Sequence, residues 1–219
     1  MKRIGSKIVY EGPIADVRID EFRYDDDTTA ERQVVSHPGA VAMVAHDDEH
    51  VWLVRQPREP VGEPALLEVP AGKLDVEGES KLDCAQRELV EELGKAAESW
   101  TELKRFWVSP GLTDEEMTIF LATGLCDVEH EADPEERIEI VKWPLSDLDG
   151  AIEECADSKS LVGLMMLRDL LAELTGSGAT FVGEARIQGV SAHTRSGSVG
   201  AMCAYVPEGW SGRLSWSLS

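Results

Sequence analysis

Four side chains within one short stretch, Arg87, Glu88, Glu91 and Glu92, have the types and spacing to manage a cation. On a helical wheel turning about 100° per residue, Glu92 falls at about 40° from Glu88 and Glu91 at about 300°. Three carboxylates therefore share one face, while Leu82, Leu89 and Leu93 gather on a separate apolar stripe. Like charges at these spacings destabilise an isolated helix by roughly 0.2–0.5 kcal/mol per pair, and Arg87, four places before Glu91, offsets only part of that. Hard divalent ions such as Mg²⁺ take oxygen ligands and are held by one or two carboxylates plus substrate phosphates. Glu88 and Glu92, one turn apart, have the reach for that, and Glu91 is placed to bind or polarise a water. By spacing alone, a solvated acidic face is an equally good reading.

The elements that must position these groups are legible around them. Ser80, with Asp83 three places on, is an N-cap signal, and Gly94 stands where a left-handed C-cap belongs, so a helix is predicted over 80–93. Strands are predicted at 7–10, at 15–20 by apolar alternation that breaks at Glu21-Phe22, and at 33–35, 40–45 and 51–54. Turns fall at Asp25-Asp26-Asp27 and Asp47-Asp48-Glu49. A further run, Leu66 to Pro70, leads into Ala71-Gly72, and later strands are expected at 118–122 and 138–143. Two helices, about 146–156 and 160–174, close the body, the second with leucines at near-helical spacing that should pack on a sheet. Beyond Thr175-Gly176-Ser177-Gly178 the composition turns Gly- and Ser-rich without a sustained period, so 176–219 reads as a weakly structured tail.

The chain has 219 residues, enough for one domain with a small appendage and a sizeable core. Apolar residues make up 42% and charged residues 29%, a globular mixture. The four cysteines form no C-x-x-C pair, which indicates neither a zinc ribbon nor a disulfide framework and makes reduced thiols the simplest expectation. The five histidines show no metal spacing, and Ser109 has no evident base partner, which argues against a serine nucleophile. No apolar h-region follows the basic N-terminus and no run approaches a membrane span, so a soluble, cytoplasmic protein without membrane partners is expected.

The formal net charge of −21 repels phosphate backbones and argues against nucleic-acid binding. An anionic substrate would need local cations. Arg55 and Arg58, flanking Gln56-Pro57, are the candidates, because a guanidinium donates two bonds at once to phosphate; exposed ion pairs are the competing reading.

The string from Gly72 to Lys95 resembles the Nudix box, G-x5-E-x7-R-E-U-x-E-E-x-G-U, with U aliphatic. Everything from Glu79 through Gly94 fits it. There are two departures: six residues rather than five separate Gly72 from Glu79, an extra residue assigned to Val76-Glu77-Gly78, and Lys95 replaces the final aliphatic. Outside the box, 31–41, Leu53-Val54-Arg55-Gln56-Pro57-Arg58, 66–75, Ser109-Pro110-Gly111 and Asp157-Ser158-Lys159-Ser160 look like the ADP-ribose pyrophosphatase branch of that family.

The resemblance implies an α/β fold, an α/β/α sandwich around a mixed sheet with a small N-terminal antiparallel subdomain. Residues 1–35 would be that subdomain, exchanged in a homodimer, and 36–175 the hydrolase domain. It implies a nucleoside diphosphate substrate: ADP-ribose, cleaved to AMP and ribose 5-phosphate. Glu88, Glu92 and the Ala71 carbonyl would hold Mg²⁺ (Mn²⁺ being the alternative), Glu91 would assist the attacking water, and Arg87 would brace the carboxylates. Glu79 would bind metal or buttress the loop. Gly72 and Pro110 would shape the substrate site, where Arg58 is favoured over Arg55 for the pyrophosphate or terminal ribose. Glu135 or Glu136 would be the loop base. Phe22 and Tyr24 are read first as core or edge-strand packing, with adenine stacking across the dimer interface as the alternative. Other nucleotide sugars, an oxidised nucleotide, or a non-catalytic nucleotide sensor remain competing readings.

Overall fold

The computed structural model describes residues 1–12, 15–129 and 137–176. The tail beyond 176 and both proposed loop bases, Glu135 and Glu136, lie outside the described residues. The first three strands, β1 (Lys2–Tyr10), β2 (Asp16–Arg23) and β3 (Thr29–Ser36), form a separate antiparallel sheet. β1 is longer than the predicted 7–10, since Lys2-Arg3 and Gly5-Ser6 also pair with β2.

Alternation in β2 places Asp20 outward, yet it is 1% exposed. It accepts hydrogen bonds from Ser6 Oγ (2.6 Å), Arg18 Nε (2.9 Å) and Arg3 Nη1 (3.3 Å). Burial opposes its ionisation, but those three donors outweigh it and hold the carboxyl below the ordinary range. Arg18 also bonds Asp114 at 2.8 Å. With Val35 N–H donating to the Leu112 carbonyl (2.9 Å) and His37 N–H to Asp114 Oδ1 (2.9 Å), this ties the small sheet to the turn that carries Pro110.

The main sheet is mixed and seven-stranded. Its strands are β4 (Ala40–His46), β5 (His50–Arg58), β6 (Glu63–Glu68), β7 (Ala71–Lys73), β8 (Lys95–Trp107), β9 (Glu116–Asp127) and β10 (Glu139–Pro144). The spine runs β10-β5-β4-β9-β8; β6 joins β5, β7 joins β4, and among the described strands only β4 and β9 pair in parallel. β4 is buried from Ala40 to Ala45, as a strand covered on both faces must be. Val41, Met43 and Ala45 pack with Cys84, Ala85, Leu89 and Leu93 of helix α1 (Lys81–Leu93). Ala42 and Val44 pack on the other side with α2 (Leu148–Glu154) and α3 (Ser158–Gly176). The result is the expected sandwich of helices around a mixed sheet.

Two elements escaped the sequence pattern. β7 is too short for any period. β8 has thirteen residues, yet its apolar positions change faces: Ala97 and Trp100 join the α1 side, Leu103 and Phe106 the other. A register shift between Glu102 and Lys104 causes this, and a bulge destroys the alternation that a periodicity test needs. Among the described residues Cys84 and Cys155 are buried free thiols. Among the described residues no helix is long and apolar enough to cross a membrane.

Helix α3 lies so close to the sheet that a Cβ on Gly163 would fall 2.7 Å from Val44 Cγ2. Helix propensity favours Gly163→Ala by about 1 kcal/mol, while overpacking costs about 1–3 kcal/mol. The expected outcome is a net loss of stability in urea denaturation, and a stabilised variant would refute the close packing.

Candidate active site

Helix α1 begins where its capping signal predicts. Ser80 Oγ accepts the Asp83 N–H at 3.1 Å, and Gly94 closes the helix at φ 62°. This fixes the rotation of α1: Leu89 and Leu93 go into the core, and Glu88 and Glu92 lie against β7. Lys95 departs from an aliphatic in composition only. Its stem is buried, its ammonium lies 4.0 Å from the Trp52 ring centre, and it pairs with Asp127.

Arg87 organises the acids. Its Nε and Nη2 grip Glu79 at 2.9 and 3.1 Å, and Nη1 reaches Glu88 Oε1 and Glu91 Oε2, both at 2.8 Å. The Glu79 hydrogen bonds are the largest influence raising the Arg87 pKa, and the same bonds hold the Glu79 carboxyl below its ordinary range. The extra loop residue does not disturb this grip. Val76–Glu79 forms a turn closed by Glu79 N–H to the Val76 carbonyl at 3.2 Å, with Gly78 at φ 81° and its α-carbon facing open space. The insertion is absorbed at the surface, before the chain reaches Glu79.

The second half of the site comes from β7. Ala42 pairs with Ala71 and Val41 with Gly72, which clamps this short strand to β4 beneath α1. Glu92, 7% exposed, accepts the Ala71 N–H at 3.3 Å. A Cβ on Gly72 would stand 2.0 Å from Glu88 Cδ, so only glycine lets this carboxylate lie against the strand. Among the described residues no three His, Cys, Asp or Glu side chains converge into a ready-made metal cage. Glu88 and Glu92 are the carboxylates here that could help to hold a divalent cation.

The two arginines part company. Arg55 pairs with Glu154 of α2. Arg58 is gripped by Glu68, Nε to Oε1 at 2.8 Å and Nη2 to Oε2 at 2.6 Å, yet stays 40% exposed. Its pKa is raised first by the Glu68 hydrogen bonds and, more weakly, by the charges of Glu92 on α1 and of Asp157. Pro110 is exposed on the β8–β9 turn. Phe22 and Tyr24 are half-buried, and Arg32 Nη2 donates to Tyr24 Oη at 3.1 Å.

Glu68 and its surroundings escaped sequence reasoning. The signal was a single acid between the buried Leu67 and Val69. Ser160 Oγ accepts the Val69 N–H at 2.9 Å, and Asp157 Oδ1 caps α3 by accepting the Ser160 N–H at 3.1 Å. Cys84 lies under the acidic face, but burial pushes its thiol up to about 12, which makes it inert.

The pH dependence of stability tests the role of Arg87. A depressed carboxylate contributes stability above its ordinary pKa of 4.5 and loses it as pH falls through the lower folded value. Arg87→Met is expected to be less stable than wild type at pH 7, with the gap closing below about pH 4.5. Urea denaturation at several pH values measures this, and a pH-independent gap would reject it.

The family model described as NUDIX domain matches residues 35–161. The chain is similar to the ADP-ribose pyrophosphatase of Bacillus subtilis, 34% identical over 172 residues that cover 76% of this chain and 92% of that protein. It is 42% identical to the ADP-ribose pyrophosphatase of Mycobacterium tuberculosis over 126 residues, 57% of this chain and 60% of that one. A crystal structure of an ADP compounds hydrolase superposes with a TM-score of 0.68 at 24% identity, covering 81% of this chain and 95% of that chain, a likeness of fold. The glycine-backed carboxylate helix, the sandwich around it and the family match agree: the chain belongs to the Nudix family, as a pyrophosphohydrolase.

Proposed function

We propose that the protein hydrolyses the pyrophosphate bond of ADP-ribose, or of a closely related ADP-sugar, to AMP and ribose 5-phosphate, with Mg²⁺ as its metal and Mn²⁺ as the alternative. The observation that carries this is the arrangement of Glu88, Glu91 and Glu92 around one guanidinium and one glycine-backed strand. In this reading Glu88, Glu92 and the Ala71 carbonyl hold the metal, and Glu79 buttresses the loop through Arg87. Bound Mg²⁺ supplies charge neutralisation for the pyrophosphate and makes a water more acidic.

The chain's own residues do the rest. Arg87 keeps Glu79, Glu88 and Glu91 together despite their repulsion. Glu91, 47% exposed at its side chain, faces solvent where a water can be oriented. Arg58 supplies the local cation that an anionic substrate needs in a protein of charge −21. One P–O bond of the diphosphate breaks, one forms to the water oxygen, and the protons leave to the carboxylates and solvent.

The same proposal includes a cytoplasmic homodimer built on residues 1–35, with 36–175 as the hydrolase domain. Exposed Ile4, Ile8, Val9 and Tyr10 on β1 support a covered face there.

Mg²⁺-dependent release of AMP from ADP-ribose, followed by chromatography with GDP-mannose and 8-oxo-dGTP as competitors, tests the reading. Glu92→Gln should abolish AMP release. Gly72→Ala should lower kcat/KM on the order of 100-fold, because displacing a positioned group by about 1 Å has that effect. Nucleotide binding without turnover would favour the sensor.

A further inference from the structure

Glu68 ends β6 with its side chain 2% exposed, a costly place for a charge. Every oxygen is used. Oε1 accepts from Arg58 Nε (2.8 Å), and Oε2 accepts from Arg58 Nη2 (2.6 Å), Gln56 Nε2 (3.4 Å) and Lys159 Nζ (2.9 Å). Lys159, at the start of α3, is itself nearly buried and also pairs with Asp157 Oδ1 at 2.9 Å. The other oxygen, Asp157 Oδ2, is buried without a partner among the described residues. One carboxylate therefore joins two elements that are far apart in sequence, the end of β5 and the cap of α3.

The arrangement does more than hold the fold. Arg58 uses Nε and Nη2 on Glu68, and 40% of its side chain stays exposed. A long arginine carries rotamer entropy that free binding would have to overcome. A two-point grip removes that freedom beforehand and sets the guanidinium plane. Lys159 lets Glu68 do so without resting its whole charge on Arg58.

We infer that Glu68 is a positioning residue: its buried carboxylate, braced by Lys159, fixes Arg58 at two points so that the remaining edge of the guanidinium meets the substrate's phosphate oxygens. The inference rests on the proposed diphosphate substrate, and its test separates the two.

The variants are Glu68→Gln, Arg58→Ala, Arg58→Lys and the Glu68→Gln/Arg58→Ala double variant. Each is read by kcat and KM for ADP-ribose with Mg²⁺, and by the Kd for ADP from calorimetry in EDTA. Glu68→Gln should raise KM and Kd roughly ten- to a hundredfold, the range for a charge-assisted bond, with a smaller change in kcat. Arg58→Lys, which keeps the charge but cannot take a two-point grip, should lose nearly as much as Arg58→Ala. Adding Glu68→Gln to Arg58→Ala should change little, because the first residue acts through the second.

Multiplying losses in the double variant, or near wild-type binding by Arg58→Lys, would overturn the inference. If Glu68→Gln does not fold, the comparison of Arg58→Lys with Arg58→Ala decides alone. A binding cycle as expected without cleavage of ADP-ribose would sink the proposed function and leave the positioning role standing. Absence of ADP binding by the wild type would overturn both.

Discussion

The site depends on one guanidinium that grips three carboxylates, Glu79, Glu88 and Glu91. Glu88, Glu91 and Glu92 lie on one face of α1, and like charges so close repel when nothing stands between them. Arg87 answers by spending all three nitrogens, two on Glu79 in the preceding loop and one on Glu88 and Glu91. That ties the loop to the helix and holds the acids at fixed positions before any ligand arrives. Cap signals at Ser80 and Gly94 set where the helix starts and stops, so the core leucines determine which way this charged face points.

Steric economy makes the second constraint. β7 is only three residues long, but it brings Ala71 and Gly72 under α1 by pairing with the fully buried β4. Gly72 has no side chain to keep Glu88 away, and the Ala71 N–H meets Glu92. A continuous apolar strand at the centre of a mixed sheet thus supplies a rigid floor, with α1 on one face and α2 and α3 on the other. Rigid elements of this kind hold catalytic groups more tightly than loops do.

Charge distribution gives the third. A protein of net charge −21 that handles an anion must place its cations deliberately. Arg55 is drawn to Glu154 on the α2 side, whereas Arg58 is held at the end of β6 by the buried Glu68. The small sheet is attached by similar means, through Arg18 between Asp20 and Asp114.

Local chemistry was legible without a structure. The cap residues, the 3.6-residue spacing of the acids, the apolar run of β4 and the motif from Glu79 to Gly94 each act over a few neighbours, and such interactions leave a local pattern. β8 was not legible, because a bulge interrupts its alternation, and β7 was too short to show one. Nor were the buried Asp20 and Glu68, whose partners Ser6, Arg58 and Lys159 lie many residues away. The sequence by itself determined the helix, its carboxylate face and the family. Only the tertiary structure decided which acid each arginine pairs with, how the extra loop residue is absorbed and which acids are buried, because these follow from contacts between distant segments, and no periodicity encodes those.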